Sequence, residues 1–560
     1  MISKKTHKAI LIIVVLCLAI GGFVWLRSYV FSNMGLSLQK KIQALELSGF
    51  KVTYDSLSID WRKNIIQVHG LLLEKNAYDT ACVYPEFIAV AHVRAEGISL
   101  FPLVFSNVLD FEVLHLDTPR AIIRQNSLLK LDSAAQRENE FTLKVEKVFF
   151  RSADVQYTDS VACGLITGIG SNLTIEGLAL EFFADRPLKY TVETVTLDST
   201  EVTLPRSFYT YRIRQAKIDV RNEKLAIDSI RIIPAYGTLE FGRRRGYEID
   251  RFDGLIPFIK ADNFVISFED SLRVKVGLAE VQFYLKLFRD KRLPFRKVRK
   301  SLPVDAIRDL SFGLEIDSLK VTRSFVQYDE FPEEASDAGG LFFDNLYAVI
   351  TNITNASQKG ITHLAAQAAL MGNGTISVSV DFPLDKDKKS SLTGSLTNFP
   401  MSRINPMLGP STNIKVESGT MKKMSFNFTF NAVRSDGEIE LNYENLKLIS
   451  FKEEDKKKKK GKAPEKDNLK TFIMNTFIFR KNMDENVPEE KRTGTVMYLR
   501  DENRSIFNFW AKSLLSGLKS AYNLDKVAEK KSQREQRKEE RLARRLERKM
   551  KKEEKKKDRG

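Results

Sequence analysis

Apolar residues along this chain recur in a fixed phrase: one position, then others at +3, +5, +10 and +12. Phe111, Leu114, Leu116, Ala121 and Ile123 make the first copy, and Val145, Val148, Phe150, Val155 and Tyr157 the second. The third is Val192, Val195, Leu197, Val202 and Leu204. The fourth is Ile227, Ile230, Ile232, Gly237 and Leu239, with a glycine in one slot, and the fifth is Ile316, Leu319, Val321, Val326 and Tyr328. Turn-prone residues stand between the apolar pairs, as in Asp117 to Pro119, Ser152 to Asp154, Asp198 to Thr200, Pro234-Ala235 and Arg323-Ser324. Apolar residues two apart on both sides of such a break predict two short strands joined by a turn. The copies begin at 111, 145, 192, 227 and 316. Their unequal gaps exclude a strict solenoid repeat.

Alternation of the same kind fills most of the chain. Phe50, Val52 and Tyr54 open it, followed by Leu57, Ile59 and Trp61, then Ile66, Val68 and Leu71 to Leu73, with Gly70 marking a turn or bulge. The second half offers Ile376, Val378 and Val380, then Phe426, Phe428 and Phe430, then Ile439, Leu441 and Tyr443. Between the halves the period blurs from Leu278 to Leu287. A basic stretch follows, in which Pro294 and Pro303 forbid one long helix. Fold class is therefore mainly β.

The two ends differ from the body. Ile10 to Leu26 is uncharged and almost wholly apolar, flanked by Lys4, Lys5 and Lys8 before it and Arg27 after it. Ile10, Leu11, Val14, Leu18, Phe23, Trp25 and Leu26 are the candidate anchor residues of a single transmembrane helix. At about 1.5 Å per residue such a helix, slightly extended, spans a hydrocarbon core of about 30 Å. No small-residue cleavage site follows it, which favours an uncleaved anchor over a signal peptide. The preceding lysines favour a cytoplasmic amino terminus. Residues 32–48 read as a helix leading into the first strand. Near the other end, Phe507, Trp510, Leu514, Leu518 and Tyr522 recur at three- and four-residue steps, an amphipathic helix. It either docks on the sheet or lies in a membrane interface.

Charge changes the picture less than its total suggests. The formal net charge is +17, but residues 525–560 alone carry 17 Lys/Arg against 9 Asp/Glu, and Lys456 to Lys460 add five more cations. With no recognisable nucleic-acid module framing those charges, no nucleic-acid partner is expected. Of three cysteines, Cys17 lies in the anchor, while Cys82 and Cys163 either pair or remain thiols. His69, His92, His115 and His363 lie far apart in sequence with no i,i+2 or i,i+4 pair, so no metal site is expected. Gly164, Gly168 and Gly170 lack the lysine and following helix of a phosphate loop. No nucleophile elbow or triad pattern occurs. Catalytic residues and cofactors are therefore none.

Several segments carry a family likeness. They are Ser48 to Asp60, Leu114 to Ile123, Pro406 to Pro410, Ile414 to Met421, Phe426 to Phe430, Asp436 to Leu448, Gly494 to Asp501 and Phe507 to Gly517. With the anchor before them, they resemble the AsmA-like family of Gram-negative envelope proteins, in its Bacteroidetes-type branch of unknown function. The resemblance implies a long twisted antiparallel sheet curled into a groove with an apolar inner face. It also implies an inner-membrane protein with a periplasmic body that binds or moves phospholipid or another envelope lipid and supports outer-membrane homeostasis. The alternative is an envelope scaffold that binds other envelope proteins and no lipid, its apolar faces closed as a sandwich. The organisation read from the chain is an anchor over 1–31, a first β-rich region over 32–285, a basic connection over 286–311 and a second β-rich region over 312–451. A charged linker over 452–468, final strands and helix over 469–524 and a basic tail over 525–560 complete it.

Overall fold

The computed structural model describes residues 50–60, 63–75, 83–99, 108–125, 141–159, 164–182, 189–204, 206–268, 272–357, 359–412, 414–451 and 492–522. The anchor residues Ile10 to Leu26, all three cysteines, the Lys456 to Lys460 run and the basic tail lie outside them. Among the described residues no helix is long and apolar enough to cross a membrane. The chain is mainly β, in two compact units: Met1–Tyr236 with Leu255–Phe264, and Gly237–Gly254 with Val265–Gly560.

In the first unit β1 (Phe50–Thr53) and β2 (Ser56–Asp60) lie end to end along β3 (Ile65–Lys75). Next comes β4 (Val83–Glu96), which pairs with both β5 (Val108–Asp117) and β6 (Arg120–Gln125). The sheet continues through β7 (Phe141–Asp159), β8 (Gly164–Phe182), β9 (Lys189–Thr191), β10 (Thr194–Leu204), β11 (Tyr209–Asp219) and β12 (Lys224–Pro234). A short helix, Thr238–Arg245, and the start of β13 (Asp250–Asp262) belong to the second unit, while β13 from Leu255 onward belongs to the first.

The second unit adds β14 (Val265–Phe268), β15 (Leu272–Asp290), β16 (Gly313–Phe331) and β17 (Gly339–Thr354). An antiparallel meander follows: β18 (Ile361–Leu370), β19 (Gly374–Pro383), β20 (Ser390–Pro400), β21 (Ile414–Phe430), β22 (Arg434–Ser450) and β23 (Arg492–Leu499). Helix Ile506–Ala521 closes the described chain.

Two expectations are corrected here. The sheet is mixed rather than antiparallel, because β5 and β6 run parallel to β7, and β15 runs parallel to β16. Parallel neighbours need a long crossover. Residues 291–312, with helix Pro303–Arg308, supply one within the second unit. The basic stretch is therefore a crossover inside one unit, and the units divide upstream of it. It is also tied down: Lys300 N–H donates to the Glu502 carbonyl at 2.8 Å, and Arg299 pairs with Glu502 at 3.1 Å.

The recurring phrase is likewise not a hairpin. β7, β10 and β16 each carry a whole or nearly whole copy on one strand, and β5 and β6 are one broken strand lying beside β7. Each strand is bulged twice. At +7 stand Thr118, Ser152, Ser199 and Arg323, with φ of 48, 52, 50 and 41°. At +1 stand Glu112, Glu146, Glu193 and Asp317, where the paired register skips a residue or the strand breaks. Along β7, Val145 and Val148 are buried with exposed Glu146 and Lys147 between them, and exposed Arg151 and Ser152 precede buried Ala153. Each bulge inserts one residue and so reverses the alternation of faces. Spacings of +3 and +5-to-+10 are therefore even strand steps plus one, and the apolar positions up to +10 share a face. The fourth copy is displaced: its bulges are Glu223 (φ 53°) and Ser229 (φ 58°), which places Leu225, Ile227 and Ile232 in the apolar slots. Gly237 and Leu239 belong instead to the cap and first turn of helix Thr238–Arg245.

Candidate apolar binding face

Strand register turns these copies into rows. In the first unit Ile59, Ile66, Ala95, Leu114, Val148, Ile175, Val195, Ile218 and Leu225 are successive cross-strand partners across nine strands. The next row runs without a break from Leu57 through Val93, Phe150 and Leu197 to Ile227. Beyond the +7 bulge a third runs from Val52 through Ile88, Val155 and Val202 to Ile232. Eight interstrand steps of about 4.8 Å make each row about 38 Å long.

The middle of this face is buried and the rest is half open. Ile66, Ala95, Val145 and Val148 are buried, whereas most of the other row members are half-buried and Val155 is 37% exposed. Small residues occupy the +8 position beside the bulge: Pro119, Ala153 and Thr200 in this unit and Ser324 in the other, all buried. A bulged strand bends, and a small side chain at the bend lets the flanking bulky rows approach over it. Ser324 also satisfies the broken ladder, accepting from Phe283 N–H at 3.0 Å and donating to the Thr322 carbonyl at 3.1 Å.

The opposite face of the same strands is polar. Arg212 pairs with Glu201 at 2.9 Å, Lys147 with Glu176 at 3.3 Å, and Arg214 with Asp228. Here the structure corrects the picture of scattered histidines. His69 and His92 are cross-strand partners whose rings stack at 4.6 Å, and His92 Nδ1 lies 3.2 Å from Asp117 Oδ2. His115 stacks on Phe149 at 5.1 Å. Pairing register brings them together, and sequence spacing carries no trace of it. Among the described residues no group of three or more His, Cys, Asp or Glu side chains could hold a metal ion.

In the second unit the apolar face ends under a cover. Val380, Leu392, Phe426, Phe428, Phe430, Ile439, Leu441 and Tyr443 form its core, and helix Ile506–Ala521 lies on it. Ser505 caps the helix, its Oγ accepting from Asn508 N–H at 3.4 Å. Phe509 meets Phe430 edge-on at 6.0 Å, and the buried Ser513 and Ser435 hydroxyls bond at 2.7 Å. Close approach depends on glycine: a Cβ on Gly494 would lie 2.1 Å from the Gly517 carbonyl oxygen. Ser516 and Ser520 accept from the backbone N–H groups of Met497 and Thr495, which covers that side of β23. Of the candidate interfacial residues, Trp510, Leu514, Leu518 and Tyr522 thus pack on the sheet, while Phe507 points outward, 73% exposed.

A buried ion cluster borders the second unit's face where β15 and β16 end. Arg289 donates to Asp250 Oδ1 at 2.6 Å and lies 3.4 Å from Glu248, which also pairs with Arg504. Lys291 reaches Glu330 at 2.6 Å, and the Tyr328 hydroxyl donates to Glu330 at 2.8 Å. Burial alone would lower the Arg289 pKa, but the hydrogen bonds and charge of Asp250 outweigh it and hold the guanidinium firmly protonated. Burial and the Glu330 charge push the Tyr328 phenol well above its ordinary value.

No protein-family model matches this chain, and no curated protein is significantly similar to it.

Proposed function

We propose that this protein handles lipid without catalysis, acyl chains of phospholipid or another envelope lipid lying along the apolar face of the first unit. One observation carries the reading: apolar rows run across nine strands, buried at the middle around Ile66, Ala95 and Val148 and half-buried elsewhere, with no second element packed on them among the described residues. Monomeric proteins rarely leave so large an apolar surface without a use. At about 0.8 kcal/mol per buried methylene, about ten methylenes suffice for micromolar affinity. Anchoring through Ile10 to Leu26 would place the body beside the inner membrane, the source of such lipid, and movement toward the outer membrane follows from the AsmA-like resemblance. Mass spectrometry of the full chain, purified in detergent, tests the reading. Retained phospholipid, reduced when row residues are made polar, is the expected result. A folded chain that retains none and takes up none from vesicles would overturn it in favour of the scaffold.

A further inference from the structure

The polar face of the second unit contains a window without charge. Tyr347, Gln367, Ser377 and Ser395 are successive cross-strand partners on β17, β18, β19 and β20. Beside them runs a second row, Val349, Ala365, Ser379 and Thr393. Together the rows line a depression of about 560 Å³, with Lys320 at its edge and Arg323 beside the Tyr347 hydroxyl as the charged groups that meet it among the described residues. In a chain with 29% charged residues, and beside strands whose polar face carries Lys422–Glu444 and Lys447–Glu417 pairs, this absence is selective.

The lining has a definite chemistry. The hydroxyls of Ser377, Ser379, Thr393 and Ser395 and the Gln367 amide take no protein partner among the described residues. Donors and acceptors of both kinds therefore stand free, without a net charge to select an ion. The Tyr347 side chain stands at one end, 45% exposed, its hydroxyl accepting from Arg323 Nε at 3.3 Å. That bond fixes a ring with an open apolar surface. Small residues at Ala365, Ser377 and Ser379 make the floor low, so a ligand settles between strands instead of resting on side-chain tips. An anionic lipid headgroup or nucleic acid would find cations only at the rim, Lys320 and the Arg323 already bonded to Tyr347, and none along the floor. An apolar peptide would strand the hydroxyls and amide unpaired.

We propose that this depression binds a neutral oligosaccharide, the Tyr347 ring stacking on a sugar face while the Gln367 amide and the serine hydroxyls bond its hydroxyl groups. Three interstrand steps of about 4.8 Å give a trough of about 14 Å, which suits a short run of sugar units. The site lies on the opposite face of the second unit's strands from that unit's own core residues Val380 and Leu392, and stands independently of the lipid reading.

The test uses the full chain in a detergent without a sugar headgroup. Isothermal titration with cellohexaose, maltohexaose and chitohexaose should show binding of at least one. Tyr347→Ala and Gln367→Ala should each weaken it about tenfold, about 1.4 kcal/mol, while Tyr347→Phe retains most of it. Both side chains are exposed, so melting temperatures should stay unchanged. No binding of any of the three at about 10 mM, or binding that both alanine variants leave intact, overturns the proposal. So does concentration-dependent self-association that Tyr347→Ala abolishes, since the window would then be a contact between copies of the chain.

Discussion

Aspartate at Val148 and at Val155 distinguishes an open apolar face from a covered one. The two valines share a strand and a face, yet Val148 is 1% exposed and Val155 37%. At Val148 the substitution forfeits the whole transfer free energy of the side chain, about 1.5–3 kcal/mol. The carboxyl must also stay neutral, a shift of about 3–5 pKa units costing about 4–7 kcal/mol. The sum of about 6–10 kcal/mol equals the stability of many domains, so Val148→Asp should fail to fold. At Val155 more than a third of the side chain already meets solvent, and its row neighbours are Ala121 and Gly168. A carboxylate there stays hydrated, which leaves a loss of about 1–2 kcal/mol. Urea unfolding followed by tryptophan fluorescence should therefore separate the variants sharply. Val155→Asp should keep its fold and lose retained lipid. Equal damage from both substitutions would mean that a second layer covers Val155, and the open face would be refuted.

Ser199 sits at φ 50° in a bulge. Ser199→Gly should be neutral or stabilise by up to about 1 kcal/mol, whereas Ser199→Val should destabilise by about 1–2 kcal/mol, both read from urea midpoints. Arg289→Met leaves Asp250 buried without its partner, and a loss of about 3–5 kcal/mol is expected. Asp250→Asn in the same chain should recover part of it. Burial and the neighbouring Tyr443 raise the Tyr522 pKa, as burial raises that of Tyr328. A raised folded pKa gives stability that is full below the unfolded value of about 10 and is lost as pH rises above it. Thermal melts should thus fall steeply above about pH 10, and less steeply in Tyr522→Phe.

Strand content was plain in the alternation, and Ile376 to Val380, Phe426 to Phe430 and Ile439 to Tyr443 lie in β19, β21 and β22 as the period requires. The turns were misread for a physical reason. Thr118, Ser152 and Ser199 are residue types suited both to a turn and to an extended strand interrupted by one left-handed residue. Only the partner strand separates these cases. Recurrent acids at +1 were the overlooked signal, because Glu112, Glu146, Glu193, Glu223 and Asp317 each stand six residues before the second bulge. Parallel pairing was illegible since it rests on which strands meet, and the convergence of His69 with His92 was hidden likewise. The C-terminal helix was legible in its period. Its docking depended on Gly494 and Gly517, whose closeness no linear pattern discloses.

An apolar face wide enough for a lipid chain poses a geometric problem that the phrase solves. A long regular strand keeps its apolar side by strict alternation, but such a strand bends little and presents a flat, aggregation-prone surface. One bulge bends it and throws every later side chain to the wrong face. Placing the next apolar residue an odd number of positions on restores the face after each bend, and the phrase does this twice, at +3 and at +10. Neighbouring strands must be interrupted at matching heights or their register fails, and Ser199 in β10 and Ser229 in β12 flank β11 at the same height. The odd spacings are therefore the sequence's record of a sheet that bends while one side stays apolar. Bends without an apolar side would need no such spacing, and a flat apolar strand would need no bulge. The combination is what the proposed lipid-binding face would need.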